Sequence, residues 1–278
     1  MSTFSILVDV KKCTGCYNCF LSCRDEYCGN DYPGYSAAQP IEGQSWMHIQ
    51  EVERGEYPKP KIDYVPRPCM HCADAPCMGA VEPGVVYRRK DGVVIIDPEK
   101  AKGKKEIVDA CPYRVIFWNE ALQVPQKCTL CAHRLDEGGQ LPRCVEACPT
   151  GALVFGDLDD PTSEIASLAK KLVVEQLHPE YGTKPRVSYV GLPKRFIAGE
   201  VVFADRSDEC AQGVEVTLEG GGVKLSTTTD VYGDFEFDGL AKNVDYRLLV
   251  AAPGYEEARC QVLTLRDVVL GEIVLTPK

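Results

Sequence analysis

The spacing of its cysteines constrains this chain more than any other feature of the sequence. Fifteen of the 278 residues are cysteine, and thirteen of them lie before Thr150. A short loop that curls round an iron–sulfur cubane aims thiolates at its iron atoms, and cysteines two or three residues apart suit this task. A tetrahedral zinc site instead uses four ligands, usually in two separated pairs. The cysteine runs therefore favour clusters, and a zinc-stapled scaffold is the alternative.

The first and last cysteine runs predict two clusters that share ligands across the sequence. The first run has spacings of two, two and three residues, as in bacterial two-cluster ferredoxins, where the fourth cysteine binds the other cluster. The last run mirrors it with a longer insertion and ends in Cys148-Pro149. If the fourth cysteine of each run binds the cluster held by the other run, two ligand sets follow. Cluster site 1 is Cys13, Cys16, Cys19 and Cys148, and cluster site 2 is Cys23, Cys128, Cys131 and Cys144.

The middle run offers three ligands, and an internal repeat indicates the fourth. Cys111-Pro112 follows an acidic residue and an alanine and precedes an apolar segment, as Cys148-Pro149 does. Cys28, Cys210 and Cys260 fall outside these registers and are predicted to be buried free thiols. Cluster site 3 is therefore predicted to be Cys69, Cys72, Cys77 and Cys111.

Charge and hydropathy exclude several classes of partner. The formal net charge is −10, and twelve thiolates around three oxidised cores would take it to about −16. Such a surface disfavours nucleic acid and anionic membranes and suits a protein partner. No apolar stretch approaches the roughly 18 residues that a membrane helix needs. Residues 1–13 resemble neither a secretion signal nor a twin-arginine leader. We therefore expect a cytoplasmic protein.

The pattern along the chain predicts an α+β protein with two folded parts. Apolar segments at residues 6–10, 93–96, 115–118 and 152–155 flank the cysteine loops and predict short strands. They favour a ferredoxin-like cluster-binding domain that spans residues 1–156 and contains insertions. A connector over residues 157–195 is predicted to hold one helix starting near Asp160-Pro161. Residues 196–278 show β-branched alternation typical of a seven-stranded, all-β, Ig-like sandwich.

Two family resemblances are carried by particular motifs. Thr229-Asp230-Val231-Tyr232-Gly233 and Ala252-Pro253-Gly254-Tyr255 resemble the transthyretin-like, carboxypeptidase-regulatory type of sandwich, which implies an interaction or stabilising module. Cys69-Met70-His71-Cys72, Lys127-Cys128-Thr129-Leu130-Cys131 and Phe155-Gly156-Asp157 resemble the iron–sulfur subunits of the dimethyl-sulfoxide-reductase family of molybdenum and tungsten enzymes. The second resemblance implies a large partner subunit that carries the active site and binds molybdenum through two pterin guanine dinucleotides. No catalytic residue is then expected in this chain.

Compared with that family's usual sixteen cysteines, the chain lacks the ligands of one whole cluster. The corresponding places, which we call the vacated positions, are Val81, Ala101, Lys104 and Ile107. Under crossed pairing these four would all bind the same centre, and the apolar ones are expected to help fill its space. The resemblance implies that the missing cluster is the one that faces a membrane subunit in relatives. We therefore expect three [4Fe–4S] clusters and no membrane subunit.

Within the family, three clusters followed by a sandwich resemble the small subunits of transhydroxylases that move a hydroxyl group between polyhydroxylated benzenes. The resemblance implies an electron-transfer subunit in a heterodimer or a multiple of one. A free-standing polyferredoxin carrier and the cluster subunit of another soluble molybdenum or tungsten reductase or dehydrogenase are the alternatives.

Three polar residues beside the ligands leave their roles open. His71 is either a proton acceptor or a group packed on a cluster. Lys127 and Arg143 each precede a ligand, where they either raise a cluster's potential, are solvated, or pair with the partner subunit.

Overall fold

The computed structural model of the protein describes residues 2–206 and 208–278. The chain forms two compact units, the first made of Met1–Glu51 and Asp63–Leu192 and the second of Val52–Ile62 and Pro193–Lys278. Most of the predicted connector, residues 157–195, lies within the first unit, and its bounds stay a prediction. None of the helices within the described residues combines the length and the apolar character that crossing a bilayer requires.

The first unit contains a three-stranded sheet in the order β8-β1-β9. Strand β1 is an almost unbroken apolar run, and both faces of this central strand are covered, since the neighbouring residues Ile6 and Leu7, which point to opposite faces, are both buried. It pairs antiparallel with β8 and parallel with β9, so part of the predicted connector completes the sheet. The strands are β1 Phe4–Asp9, β8 Leu153–Asp157 and β9 Ser188–Val190.

Hairpins and short helices surround this sheet. The four apolar segments that predicted strands all contribute to strands, with bounds shifted by up to two residues. Two-stranded sheets pair β2 His48–Arg54 with β3 Lys61–Arg67, β4 Val86–Arg88 with β5 Val94–Ile96, and β6 Phe117–Asn119 with β7 Val124–Gln126. The helices are α1 Asn18–Tyr27, α2 Pro76–Gly79, α3 Glu106–Asp109, α4 Ala132–Asp136, α5 Arg143–Glu146 and α6 Glu164–Lys171, with 3-10 turns at Val10–Lys12 and Pro179–Tyr181.

Helix α6 begins later than the sequence predicts. The Asp160-Pro161 pair predicts the start, but the helix begins at Glu164 because the Ser163 hydroxyl accepts a hydrogen bond from the Ala166 N–H at 3.2 Å. Ile165 is the fully buried anchor of this helix. The cap therefore decides where the helix starts.

The second unit contains two sheets, of three and four strands, in the orders β13-β10-β16 and β12-β11-β14-β15. Strands β10 and β16 run parallel, and the other paired strands are antiparallel. Alternate residues of β14, including Tyr246, Leu248 and Val250, are buried in the core of this unit. The strands are β10 Arg195–Phe203, β11 Glu215–Gly220, β12 Val223–Thr228, β13 Asp234–Leu240, β14 Asp245–Ala251, β15 Ala258–Leu263 and β16 Val268–Leu275.

Candidate metal centres

The pairing of β1 with β8 brings the two ends of cluster site 1 together. Cys13 follows the turn after β1, and Cys148 precedes β8 by a few residues. Because the two strands are antiparallel, the end of β1 meets the start of β8, and the Asp9 N–H donates to the Ala152 carbonyl at 2.8 Å. Burial raises the pKa of the Cys19 thiol to about 12, and the charges of Cys13 and Cys148 contribute to this rise.

Backbone donors prepare Cys148 to be a thiolate ligand. Burial acts to raise the pKa of Cys148, but the backbone N–H of Leu153, the hydroxyl and N–H of Thr150 and the N–H of Ala152 lower it overall. Such N–H···S contacts stabilise the anionic sulfur that iron requires. The thiol of Cys16 is exposed, whereas Cys13 and Cys148 are half-buried. Of the three sites, cluster site 1 therefore contains the most solvent-accessible cysteine.

Cluster site 2 is assembled from helices α1 and α5 and the loop that follows β7. The Ser22 hydroxyl donates to the Arg143 carbonyl at 3.3 Å, which brings the neighbours of Cys23 and Cys144 into contact. Burial raises the pKa of Cys23 well above its ordinary value, and the thiolates of Cys128 and Cys131 add to the rise. The Leu130 N–H donates to the Cys128 sulfur at 3.3 Å. All four cysteines of this site are buried: Cys23, Cys128, Cys131 and Cys144.

Cluster site 3 surrounds a cavity. A small cavity is lined by all four of its cysteines together with His71 and mostly apolar residues. Burial raises the pKa of the Cys72 and Cys77 thiols to about 11, so neutral thiols are favoured unless a metal compensates the charge. The His71 N–H donates to the Cys69 sulfur at 3.5 Å. Four thiols that face one enclosed space fit the ligand set of a cubane cluster.

The three sites follow one another in space. Cys19 and Cys23 are one turn apart on α1, and the charge of Cys19 acts on Cys23 although the two belong to different sites. In the same way, Cys69 of cluster site 3 acts on Cys128 of cluster site 2. Within residues 2–206 and 208–278, no three His, Cys, Asp or Glu side chains converge as they would around a single metal ion. The order is cluster site 1, cluster site 2, cluster site 3.

The vacated positions are occupied by ordinary protein interior. Ala101 and Ile107 are fully buried in one apolar core, and Val81 packs against it. Cys77 of cluster site 3 belongs to the same core. Lys104, the polar member, donates to the Glu82 carboxylate at 2.7 Å. Three of the four positions thus share a continuous apolar cluster, as the sequence predicts for the apolar ones.

The polar residues beside the ligands differ in their environments. His71 is buried, its Nδ1 accepts from the Val94 N–H at 3.1 Å, and its Nε2 has no partner within the described residues. Burial lowers its pKa well below the ordinary value, so the ring is neutral. Arg143 forms ion pairs with Glu146 at 2.7 Å and Glu26 at 3.0 Å. Arg143 is therefore paired within this chain.

Two further residues near the cysteines, Thr183 and Tyr64, were not apparent from the motifs. The Thr183 hydroxyl is hydrogen-bonded to Cys72 and lies 2.8 Å from the Tyr113 hydroxyl. Gly15 has a φ of +66°, and a Cβ there would lie 2.5 Å from the ring of Tyr64. Glycine is therefore required at this position by the backbone and by Tyr64. No local signal marks Thr183, which is far from Cys72 in sequence.

The three cysteines outside the predicted ligand sets, Cys28, Cys210 and Cys260, differ in their exposure. Cys28 is half-buried, with its sulfur 3.9 Å from an Arg24 nitrogen, and Cys260 is half-buried on β15. The prediction that all three are buried is wrong for Cys210, which is exposed, and is met only in part for Cys28 and Cys260, which are half-buried. The position of Cys210 after β10, outside a strand, explains its exposure.

Comparison with known proteins shows the family to which this chain belongs. The pyrogallol hydroxytransferase small subunit of Pelobacter acidigallici is 43% identical over 99% of this chain and 100% of its own length. The chain belongs to the iron–sulfur subunits of the dimethyl-sulfoxide-reductase family. One subunit of the tetrathionate reductase of Salmonella typhimurium is 35% identical over 70% of this chain and 74% of its own length. One subunit of the sulfite dehydrogenase of Allochromatium vinosum is 36% identical over 70% of this chain and 85% of its own length.

Domain families match both parts of this iron–sulfur subunit. The 4Fe-4S dicluster domain matches residues 60–158, and the carboxypeptidase regulatory-like domain matches residues 197–274. The chain is an electron-transfer subunit that binds iron–sulfur clusters, and its relatives are the non-catalytic subunits of molybdopterin oxidoreductases. Its family implies a larger catalytic partner. Fold and family agree on an α+β chain whose second part is an Ig-like β domain.

Proposed function

We propose that this chain is the three-cluster subunit of a cytoplasmic molybdopterin transhydroxylase that moves hydroxyl groups between polyhydroxylated benzenes. One observation carries the substrate class: the 43% identity to the pyrogallol hydroxytransferase small subunit extends over 99% of the chain and therefore includes the second unit. The reductase and dehydrogenase relatives named above each match 70% of it. Within the second unit, residues 196–278 are proposed to form a transthyretin-like domain, which the match of residues 197–274 to the carboxypeptidase regulatory-like domain supports.

In each ligand set proposed for the three clusters the cysteines influence one another, and the neighbouring sets also interact, since Cys69 acts on Cys128 and Cys19 acts on Cys23. Neighbouring thiolates within each set raise one another's pKa, and backbone N–H groups point at several of the sulfurs. The vacated positions support three clusters, because an apolar core stands where a fourth would need thiolates. The sets are Cys13, Cys16, Cys19 and Cys148 for cluster 1, Cys23, Cys128, Cys131 and Cys144 for cluster 2, and Cys69, Cys72, Cys77 and Cys111 for cluster 3.

In this proposal the partner subunit catalyses the reaction, and this chain binds the electron carriers. Each cluster, when bound, supplies a one-electron carrier. This chain's residues hold the carriers in series, exclude water from cluster 2 through burial of all four of its cysteines, and supply N–H donors to thiolates of clusters 2 and 3. Hydroxyl transfer between two benzenes involves no net redox change, so the series either sets the oxidation state of the partner's molybdenum or holds the interface between the subunits. Molybdenum with two pterin guanine dinucleotides is proposed for the partner only, in a heterodimer without a membrane subunit.

Native purification tests this function. The chain is tagged, purified without oxygen, and examined for co-eluting protein and for molybdenum, tungsten, iron and zinc. We expect a larger chain in equal amount, molybdenum, and about twelve iron atoms per copy of this chain. A chain that elutes alone with iron would identify a free polyferredoxin carrier. Zinc with no visible colour would identify a zinc-stapled scaffold.

Substrate class is tested on the same complex. Conversion of pyrogallol to phloroglucinol, followed by chromatography, is the expected activity. The control assays tetrathionate, sulfite and arsenate with a redox dye, because a molybdenum reductase or dehydrogenase consumes or delivers electrons. Turnover of one of these with no change in pyrogallol would reject the transhydroxylase and keep the electron-transfer role.

A further inference from the structure

Lys127 carries a charge in a position where lysine is rarely found. Only 2% of the residue is exposed, and it lies between β7 and the ligand Cys128. Lysine is almost never fully buried without a partner, because removing an ammonium group from water is costly unless opposite charge is nearby. Because Lys127 is buried, it is not a solvated surface charge, which is one of the alternatives that the sequence leaves open. The environment of the ammonium group therefore has to be accounted for.

The ammonium group lies between cluster sites 2 and 3. Its Nζ donates to the Val94 carbonyl at 2.5 Å and to the Cys128 carbonyl at 3.1 Å. Val94 lines the cavity of cluster site 3, and Cys128 is a ligand of cluster site 2. The two carbonyl dipoles orient the ammonium group, but they are neutral and leave its charge in place. Two contacts thus anchor one cation to both sites.

The charge of Lys127 acts on ligands of both sites. It offsets part of the rise that burial gives to the pKa of Cys77 in cluster site 3, and it does the same for Cys128 in cluster site 2. Four thiolates outweigh the positive core of an oxidised cluster, so each site supplies the negative charge that a buried ammonium group needs. The cation and the two clusters therefore compensate one another.

We propose that Lys127 is a shared electrostatic tuning residue that raises the reduction potentials of clusters 2 and 3 together. The proposal rests on the three-cluster assignment above. Reduction adds one electron to a cluster, and that electron leaves the neighbouring cluster in the series, so each transfer pairs one reduction with one oxidation. A fixed cation favours the more negative, reduced state.

Potentiometric titration of the whole enzyme, followed by electron paramagnetic resonance, tests this role. The variants are Lys127→Met, which removes the charge and keeps the length, and Lys127→Arg, which keeps the charge. The matched control is Lys102→Met, an exposed lysine paired with Glu99. We expect Lys127→Met to shift two of three potentials downward, and Lys127→Arg and Lys102→Met to leave all three near their original values.

Several outcomes would overturn the proposal. No shift in Lys127→Met, a shift of only one cluster, or an equal shift of all three contradicts a cation shared by two sites. Loss of iron from Lys127→Met but not from Lys127→Arg supports it, since charge is then what the clusters require. Loss of iron from both variants contradicts it, since shape is then what matters. Fewer than three centres in the unaltered enzyme would instead refute the three-cluster assignment.

Discussion

The crossed arrangement of ligands makes a prediction that paired alanine substitutions can test. Cys19 and Cys23 are neighbours on helix α1, yet the proposed ligand sets assign them to different clusters. Cys23 and Cys144 are far apart in sequence, but the Ser22 to Arg143 hydrogen bond brings their segments together. If the four cysteines of one run instead bound the same cluster, Cys19 and Cys23 would share a cluster. Cys23 and Cys144 would then belong to different clusters.

The number of intact [4Fe–4S] centres follows directly from these sets. The unaltered chain should have three. Cys23→Ala with Cys144→Ala removes two ligands from cluster 2 alone and should leave two intact centres. Cys19→Ala with Cys23→Ala removes one ligand from each of two clusters and should leave one. Run-by-run ligation predicts the opposite, with one intact centre in the first double variant and two in the second.

The assay counts four-iron centres, because a cluster short of one ligand can persist as a three-iron remnant. Mössbauer spectra of iron-57-labelled enzyme separate the two forms, and spin quantification of the reduced samples gives an independent count. Cys28→Ala is the control, since it removes a cysteine of the same segment and should leave three. One centre in Cys23→Ala with Cys144→Ala and two in Cys19→Ala with Cys23→Ala would refute crossed ligation.

Three further substitutions probe the sites and the vacated positions. Cys111→Ser should damage one cluster and lower the iron content by up to about four atoms per chain, and an unchanged iron content would remove Cys111 from cluster 3. Cys28→Ser should leave the iron content and all spectra unchanged, and loss of any centre would show that this odd thiol matters. Ile107→Ala should lower the free energy of unfolding by about 2–5 kcal/mol, as for fully buried isoleucines, whereas the 42% exposed Leu122, changed to alanine, should cost less than about 0.5 kcal/mol. The temperature at which the visible absorbance is half lost ranks the two variants against the unaltered chain at one heating rate, and equal decreases would contradict the packing of the vacated positions.

Local patterns predicted much of the fold because they depend on short stretches of chain. The apolar run of β1 and the alternation of Tyr246, Leu248 and Val250 in β14 each specify a strand through neighbouring residues alone. The start of α6 was misplaced because Ser163, a few residues on, is the better cap. Strand β9 was missed, since a three-residue strand that pairs in parallel with β1 has no local signature.

Long-range contacts decided the roles of the residues around the ligands. Lys127 and Arg143 each stand directly before a cysteine, and the sequence treats them alike. In the structure Lys127 is buried against the Val94 carbonyl, whereas Arg143 pairs with Glu26. Burial and charge compensation depend on which distant segments meet, and no spacing rule contains that information.

The sequence by itself determined the family, the kind of cofactor and the candidate ligands. A cubane needs thiolates on a short, tightly curled loop, and the spacing of neighbouring cysteines identifies such a loop. Tertiary structure alone decided how deeply each thiol is buried and which polar groups share the buried space. The physical reason is that electrostatic energy in a protein interior depends on distance in space and on access to water. Both quantities exist only after the chain has folded.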